Sequence, residues 1–321
     1  NLAKKGILQR DYDAVRTVGD ATVRMVRLSS LIGSEEDLDA LPEKLTKKQR
    51  AVAEELFRIG TCSVKELCYF TGVTEAVLRG LLNKDVIEYD EQEVYRRPYD
   101  IRPTGDPKPI LLQEEQQAAF DGLTAQWKNG GGVALLYGVT GSGKTSVYLR
   151  LIDEVFAAGQ GIIVMVPEIS LTPQTLDLFY QRYGDTVAVF HSGLSAGERL
   201  DEWKRVRDGL AKIVVGTRSA VFAPVRELGL IIMDEEQEHT YQSDRSPRYH
   251  ARDIAKFRCA ERDALLVLAS ATPSFSTFAA AQSGRYSFHA LRTRYGDAVL
   301  PEVVTVDLCK ERSAGNRSSI S

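Results

Sequence analysis

Cysteine is scarce in this chain, and what there is does not cluster. The four cysteines among 321 residues, Cys62, Cys68, Cys259 and Cys309, are too scattered for a disulfide framework or a C-x-x-C zinc site. They read as small buried hydrophobes, and a reducing cytoplasm suits them. Long apolar runs are missing as well. None approaches the roughly 20 residues needed to cross a bilayer, and no signal peptide is visible, so no membrane partner is expected. Nor does either sign of charge dominate. Against 44 Asp and Glu stand 41 Lys and Arg, a net charge of −3. With no global basic signature, any contact to nucleic acid must come from local patches. An initiating methionine is absent too: the chain opens on Asn1 and stops in a polar tail from Ser313 to Ser321. Both ends read as cut, and a fragment of a longer protein is the expectation.

What remains is an ordinary globular composition, 43% hydrophobic and 26% charged, long enough for two domains. Its most informative stretch is Leu135-Leu136-Tyr137-Gly138-Val139-Thr140-Gly141-Ser142-Gly143-Lys144-Thr145. An apolar strand feeds a glycine-rich loop of the form G-x-x-x-x-G-K-T, and a helix follows. This is a Walker A motif in its required context. Gly138, Gly141 and Gly143 let backbone N–H groups turn inward around phosphate oxygens, where a Cβ would obstruct, and the positive end of the helix favours the anion. Lys144 can then reach the β- and γ-phosphates, and the Thr145 hydroxyl can bind Mg²⁺. ATP and Mg²⁺ are the cofactors this loop calls for.

A matching acidic motif lies downstream. Leu230-Ile231-Ile232-Met233-Asp234-Glu235-Glu236 is an apolar strand ending in carboxylates, the Walker B pattern. Asp234 can hold Mg²⁺ through water, and Glu235 can orient or deprotonate the attacking water. In an open α/β sheet ligands gather beyond the carboxyl ends of the strands, which would turn both acids toward the phosphate loop. Ser270-Ala271-Thr272 follows another apolar strand and can couple the nucleotide site to a neighbouring groove.

Around these motifs the chain falls into recognisable stretches. Residues 1–43 end in an acidic linker, Glu35 to Glu43, after β-like alternation over 21–28. Over 44–97 the pattern is three short helices, capped by Thr46, Ser63 and Thr74, then a hairpin from Val86 to Tyr95; this is the order of a winged helix. Its third helix carries only Arg79 and Lys84 as cations, so major-groove reading and a packing or spacer role both stay open. A proline-punctuated linker spans 98–112. From 113 to 308 strands at 133–137, 162–166, 187–190, 213–215, 230–233 and 265–269 alternate with amphipathic helices, the mark of a parallel α/β sheet. Residues 309–321 read as a connector. The fold class is therefore α/β, a RecA-like P-loop NTPase lobe preceded by a small winged-helix domain.

Three further stretches suit contacts to a sugar–phosphate backbone, which position a strand without reading it. They are Pro167-Glu168, Thr217-Arg218, and the aromatic and arginine cluster of Tyr241, Arg245, Arg248, Tyr249 and Arg252. Aromatics interleaved with arginines are what base stacking and phosphate contact require. Ordinary loop caps, and a surface loop packed by its own tyrosines, are the plainer readings of the same residues.

With these motifs in order, the chain resembles superfamily 2 nucleic-acid helicases and, within them, the PriA family of bacterial primosomal helicases. The strings that carry the resemblance are Gly138 to Thr145, Met165-Val166-Pro167-Glu168-Ile169-Ser170-Leu171-Thr172-Pro173-Gln174, His191-Ser192-Gly193-Leu194, Gly216-Thr217-Arg218-Ser219-Ala220, Asp234-Glu235-Glu236, Arg248-Tyr249-His250-Ala251-Arg252-Asp253 and Ser270-Ala271-Thr272-Pro273. The resemblance implies ATP-driven 3′→5′ unwinding of DNA at stalled replication forks, followed by loading of the replicative helicase, with single-stranded and forked DNA, primosome proteins and single-stranded DNA-binding protein as partners. It also implies an adenine-recognising glutamine at Gln116 and a DNA-sensing aromatic loop over Tyr241 to Tyr249. Zinc is expected only in a part of the family's chain that lies beyond this sequence, along with the second lobe and its arginine finger. Two residues depart from the family pattern: Gln237 replaces a usual His, and Ser146 a usual Glu. A different superfamily 2 translocase, or a fragment that binds nucleotide, DNA or a partner without catalysis, are the alternatives. As a single lobe the chain should hydrolyse ATP slowly at best.

Overall fold

The computed structural model describes residues 21–96, 98–99, 109–244, 246–294 and 306–313. The basic stretch before residue 21, much of the proline linker, Arg245 and the tail beyond 313 lie outside the described residues.

The first elements are β1 (Ala21–Leu28), α1 (Glu35–Asp39), α2 (Lys47–Ile59), β2 (Cys62–Ser63), α3 (Val64–Thr71), α4 (Glu75–Leu82) and β3 (Ile87–Val94). The helices begin where the sequence says they should. Thr46 and Ser63 each accept from the backbone N–H three residues on, while Gln49 and Glu66 return the bond to the cap's own N–H. These reciprocal boxes satisfy the orphan donors of a helix start. Gly72 ends α3 at φ +65°, a left-handed position that a side chain would strain. The apolar faces, including Leu56, Leu67, Leu78 and Leu81, close over Val26 and Ile87 as one core.

Two expectations need correction here. The segment read as a hairpin is one continuous strand. β3 pairs antiparallel with β1 from Ala21↔Val94 to Leu28↔Ile87, because the alternating stretch 21–28 offers a longer partner than a tight turn within 86–95 could. The acidic stretch read as a linker contains α1, whose Leu38 is buried in the same core. Its acids serve as surface and cap, with Asp37 accepting from the N–H groups of Gly33 and Ser34.

The chain continues through α5 (Glu114–Lys128), β4 (Gly132–Gly138), α6 (Lys144–Ala157), β5 (Gly161–Met165), α7 (Pro173–Tyr183), β6 (Val187–Phe190), α8 (Ala196–Arg207), β7 (Ile213–Gly216), β8 (Leu228–Asp234), α9 (Ala251–Glu261), β9 (Leu265–Ser270), α10 (Phe275–Gln282) and β10 (Ser287–Leu291), with a last helix at Leu308–Ser313. All six strands read from the sequence are present, and β10 is additional. The molecule divides into two compact units, one drawn from Asn1–Asp106 with Glu168–Arg226, the other from Pro107–Pro167 with Glu227–Ser321.

In the first unit, β6 and β7 pair in parallel. The charged helix α8 is anchored by its own buried acids: Glu202 accepts from the Val189 N–H at 2.8 Å and pairs with Arg205. The end of β3 and the segment after it lie along α8. Asp201 accepts from the Arg96 N–H at 2.9 Å, Tyr95 donates to Asp208 at 3.2 Å, and Glu93 pairs with Lys204.

In the second unit five strands run parallel in the order β10-β4-β9-β8-β5. Strands β5, β8 and β9 are buried almost throughout, as parallel strands covered on both faces must be. Parallel direction brings their carboxyl ends to one edge of the sheet. Register aligns Tyr137 with Ser270 and Asp234 with Ala269, so three motifs far apart in sequence emerge side by side.

Candidate functional site

The glycine-rich loop joins β4 to α6. Gly141 and Gly143 sit at φ +79° and +80°, where other residues are strained, and a Cβ on Gly138 would stand 2.5 Å from the Ser142 hydroxyl. Lys144 and Thr145 open α6, where the first N–H groups of a helix lack intrahelical partners. The Lys144 ammonium folds back onto the Gly138 carbonyl at 2.9 Å. Ser142 is buried, and its Oγ is a buried atom with no hydrogen-bond partner. A buried polar atom left unsatisfied costs free energy. Together with glycines that clear the loop's inner face, it fits a loop shaped to receive acceptor oxygens.

Gln116 reaches this loop from α5. Its amide oxygen accepts from the Gln113 N–H at 3.0 Å, and its nitrogen donates to the Ser142 carbonyl at 2.9 Å. Both ends of the amide are thus held by the protein. Beside it, one Glu115 oxygen accepts from the N–H groups of Arg292 and Thr293 and from the Thr293 hydroxyl. These donors lower the Glu115 pKa.

At the end of β8, burial and the neighbouring Glu235 charge push the Asp234 carboxyl up, with Lys144 pulling the other way. Glu235 adopts φ +47°, a left-handed conformation that costs a non-glycine residue about 1–3 kcal/mol and persists only where its surroundings hold it. The holders are visible. Tyr241 donates to the Asp234 carbonyl at 2.6 Å, the Glu236 N–H donates to the Ala269 carbonyl at 3.1 Å, and the Glu238 N–H to the Glu235 carbonyl at 2.9 Å. The turn aims two carboxylates, Asp234 and Glu235, from one strand end.

Gln237 links this turn to the end of β9. Its nitrogen donates to Glu235 Oε2 at 2.8 Å, its oxygen accepts from Ser270 Oγ at 2.5 Å, and Ser270 Oγ accepts from the Thr272 N–H at 2.9 Å. Gln237 thereby makes a side-chain bridge between the two motifs, built on an amide that does not titrate. Ala271 lies between them without a side-chain hydrogen bond to give.

Glu236 turns the other way, into the interior. It pairs with Arg252 at 2.9 Å, accepts from the Ser274 N–H at 2.6 Å and from the Thr277 hydroxyl at 3.1 Å. One fully buried carboxylate thereby ties β8 to α9 and to the start of α10.

The nucleic-acid expectations divide. Tyr241 is corrected: its ring is 1% exposed and its hydroxyl is engaged by the carbonyls of Asp234 and Met165, so it has no face on which a base could stack. Arg248 is exposed and Tyr249 half-buried. Pro167 is buried. In the other unit Glu168 is exposed and accepts from the Ser192 hydroxyl at 3.4 Å, Thr217 is 5% exposed with its N–H on the Phe190 carbonyl, and Arg218 lies half-buried in a 3₁₀ turn. Thr172, read as part of the same motif, caps α7 through its hydroxyl. Among the cysteines, Cys62 and Cys259 are buried as read, whereas Cys309 is exposed.

Tyr148, whose hydroxyl donates to Asp234 Oδ2 at 3.3 Å, was not legible as a site residue, nor was a role for Glu236. The tyrosine lies three residues after Thr145, on the same helix face, and that spacing was the available signal. Glu236 looked like one more surface acid; only tertiary structure shows it turned inward.

Residues 113–280 match the family model of the DEAD/DEAH box helicases. The replication restart protein PriA of Bacillus subtilis (strain 168) is 40% identical over 328 residues, covering 100% of this chain and 41% of the relative. PriA of Treponema pallidum (strain Nichols) is 44% identical over 200 residues, 62% of this chain and 30% of the relative. Among solved structures, RecG bound to a three-way DNA junction aligns with a TM-score of 0.45 and 22% identity, over 59% of this chain and 25% of that one. The chain spans less than half the length of these curated relatives.

Proposed function

The chain belongs to the DEAD/DEAH box helicase family, and we propose that it is the ATP-binding lobe of a PriA-type replication-restart DNA helicase. The observation that carries this is the meeting of the glycine loop, the Asp234–Glu235 turn and the Ser270–Thr272 segment at one sheet edge, with Gln237 joining the last two. The orphaned Ser142 hydroxyl and the cleared glycines fit a nucleotide's phosphates, and Thr145 with Asp234 would hold Mg²⁺. When bound, the ion draws charge off the phosphates. Glu235 would orient the attacking water, and Lys144, which here donates to the Gly138 carbonyl, would supply its charge to the phosphate oxygens. Gln116 serves the cofactor by bracing the loop at the Ser142 carbonyl, with adenine contact requiring it to give up one of those bonds.

The family likeness supports 3′→5′ movement on single-stranded and forked DNA in the cytoplasm, with primosome proteins and single-stranded DNA-binding protein as partners. Among the described residues no helix is long and apolar enough to cross a membrane. DNA backbone contacts fall to Glu168, Thr217, Arg218, Arg248 and Tyr249. The winged-helix reading of 44–97 is widened to take in β1 and α1, which share its sheet and core, and 113–308 is read as the first helicase lobe.

The test is steady-state ATPase of the full-length protein that carries this lobe, with forked DNA, single-stranded DNA or RNA added. Turnover that rises with forked DNA supports the reading. Stimulation by RNA instead would point to another translocase, and an absence of turnover with intact nucleotide binding would leave a binding module.

A further inference from the structure

The chain leaving β3 is strapped to α8 by a carboxylate that solvent does not reach. Asp201, fully buried, accepts from the Arg96 N–H at 2.9 Å and pairs with the Arg96 guanidinium at 3.5 Å. Lifting the strap would strand that buried charge, which is costly. Three residues on, the Tyr99 ring lies against Tyr180 of α7 and against His191, the first residue after β6, with centroids 6.1 and 6.3 Å away. The Tyr99 oxygen is 2.9 Å from His191 Nε2.

The other ring nitrogen decides the direction of that bond. His191 Nδ1 accepts from the Gly193 N–H at 3.1 Å, so in the neutral ring Nε2 carries the proton and donates it to the Tyr99 oxygen. Burial holds the ring below the ordinary histidine value, Glu198 and Glu168 pulling the other way and Arg199 adding to it. Without the Tyr99 oxygen nothing keeps the proton on Nε2. A proton on Nδ1 would face the Gly193 N–H, donor against donor, and the 191–194 turn would lose that bond.

This turn stands among the residues read as DNA contacts. Ser192 donates to Glu168 at 3.4 Å, and the Thr217 N–H donates to the carbonyl of Phe190, next to His191. A tyrosine could lie here for packing alone, but packing does not call for its oxygen on the one nitrogen whose proton sets the turn. We propose that Tyr99 is a positioning residue for DNA binding: by holding the His191 proton on Nε2 it fixes the 191–194 turn beside Glu168 and Thr217. The inference rests on the reading of those two residues as contacts to the DNA backbone.

The test measures affinity for a fluorescent single-stranded oligonucleotide at fixed salt, in the full-length protein, for wild type, Tyr99→Phe, His191→Asn and the double variant. Phenylalanine keeps the ring contacts and removes the oxygen, while asparagine keeps an acceptor for the Gly193 N–H and has no tautomers. Tyr99→Phe should weaken DNA binding about fivefold, the usual worth of one hydrogen bond, and leave ATP affinity unchanged. In the His191→Asn background the same change should do little. An equal loss in both backgrounds would overturn the inference, as would a matching loss of ATP affinity, which marks packing. DNA affinity that Glu168→Ala and Thr217→Ala both leave unchanged removes the contact reading, and the inference with it. An effect of those two but none of Tyr99→Phe removes the inference alone.

Discussion

The body formed by residues 21–94 and the unit that carries the glycine loop treat polar groups in opposite ways. In the first, the core is a closed apolar cluster around Leu56, Leu67, Leu78 and Leu81, and polar side chains such as Thr46 and Ser63 serve helix ends at its rim. In the second, Gln116, Ser142, Lys144, Glu236, Ser270 and Thr277 are buried at or beside the strand ends. An apolar core is the cheaper way to hold a fold together, since burying charges rarely adds net stability. The buried polar groups of the second unit make sense as fixtures for the loops they hold.

Breaking the largest of these fixtures should have the largest effect. Glu236→Ala leaves the Arg252 guanidinium and the Ser274 N–H without their acceptor, and removing one member of a buried pair costs about 3–5 kcal/mol. Denaturant unfolding should register that loss, together with impaired ATP turnover. A cost under about 1 kcal/mol would mean that water replaces the carboxylate, since that is the scale of an exposed pair, and the contrast between the 21–94 body and the second unit would weaken.

Leu78→Ala probes the other side. A cavity in the apolar core should cost about 3 kcal/mol, with nucleotide affinity unchanged at temperatures where the protein stays folded. Equal loss of stability and nucleotide affinity would show that the two regions do not behave as separately as their chemistry suggests.

The smallest effect is on pH dependence. Burial holds His191, His250 and His289 below the ordinary histidine value. The unfolded chain therefore takes up protons first as pH falls, so the stability that these groups contribute is full above about pH 6.5 and declines below it. Melting temperature should drop between pH 7.5 and 5.5. A flat profile over that interval would show that these imidazoles protonate as readily folded as unfolded.

Much of the second unit was legible because its signals are local. Apolar runs such as Leu265 to Ala269 mark fully buried parallel strands, and the glycine loop announces its own geometry. β10 escaped because Ser287-Phe288-His289-Ala290-Leu291 is short and half-buried at the sheet's edge, with no continuous apolar run to mark it. The pairing of β1 with β3 joins residues far apart in sequence, and nothing in either strand names its partner. Tyr241 was misread for a different reason: interleaved aromatics and arginines suit base stacking, but composition does not say which ring turns inward. The polar fixtures were the least legible, because Glu236 and Tyr148 acquire their meaning only from strands and helices that other parts of the chain supply.

The most direct test of the central claim compares Glu235→Gln with Lys144→Ala, each in the full-length protein, in nucleotide binding and hydrolysis. Glu235→Gln keeps the side chain's shape and removes its basic oxygen, so ATP affinity should match wild type while turnover falls by about 10² or more, the usual worth of a general base. Lys144→Ala should lose both affinity and turnover without loss of thermal stability. Wild-type turnover by Glu235→Gln would contradict the account, because the strained turn at the end of β8 would then be holding a carboxylate that takes no part in the chemistry.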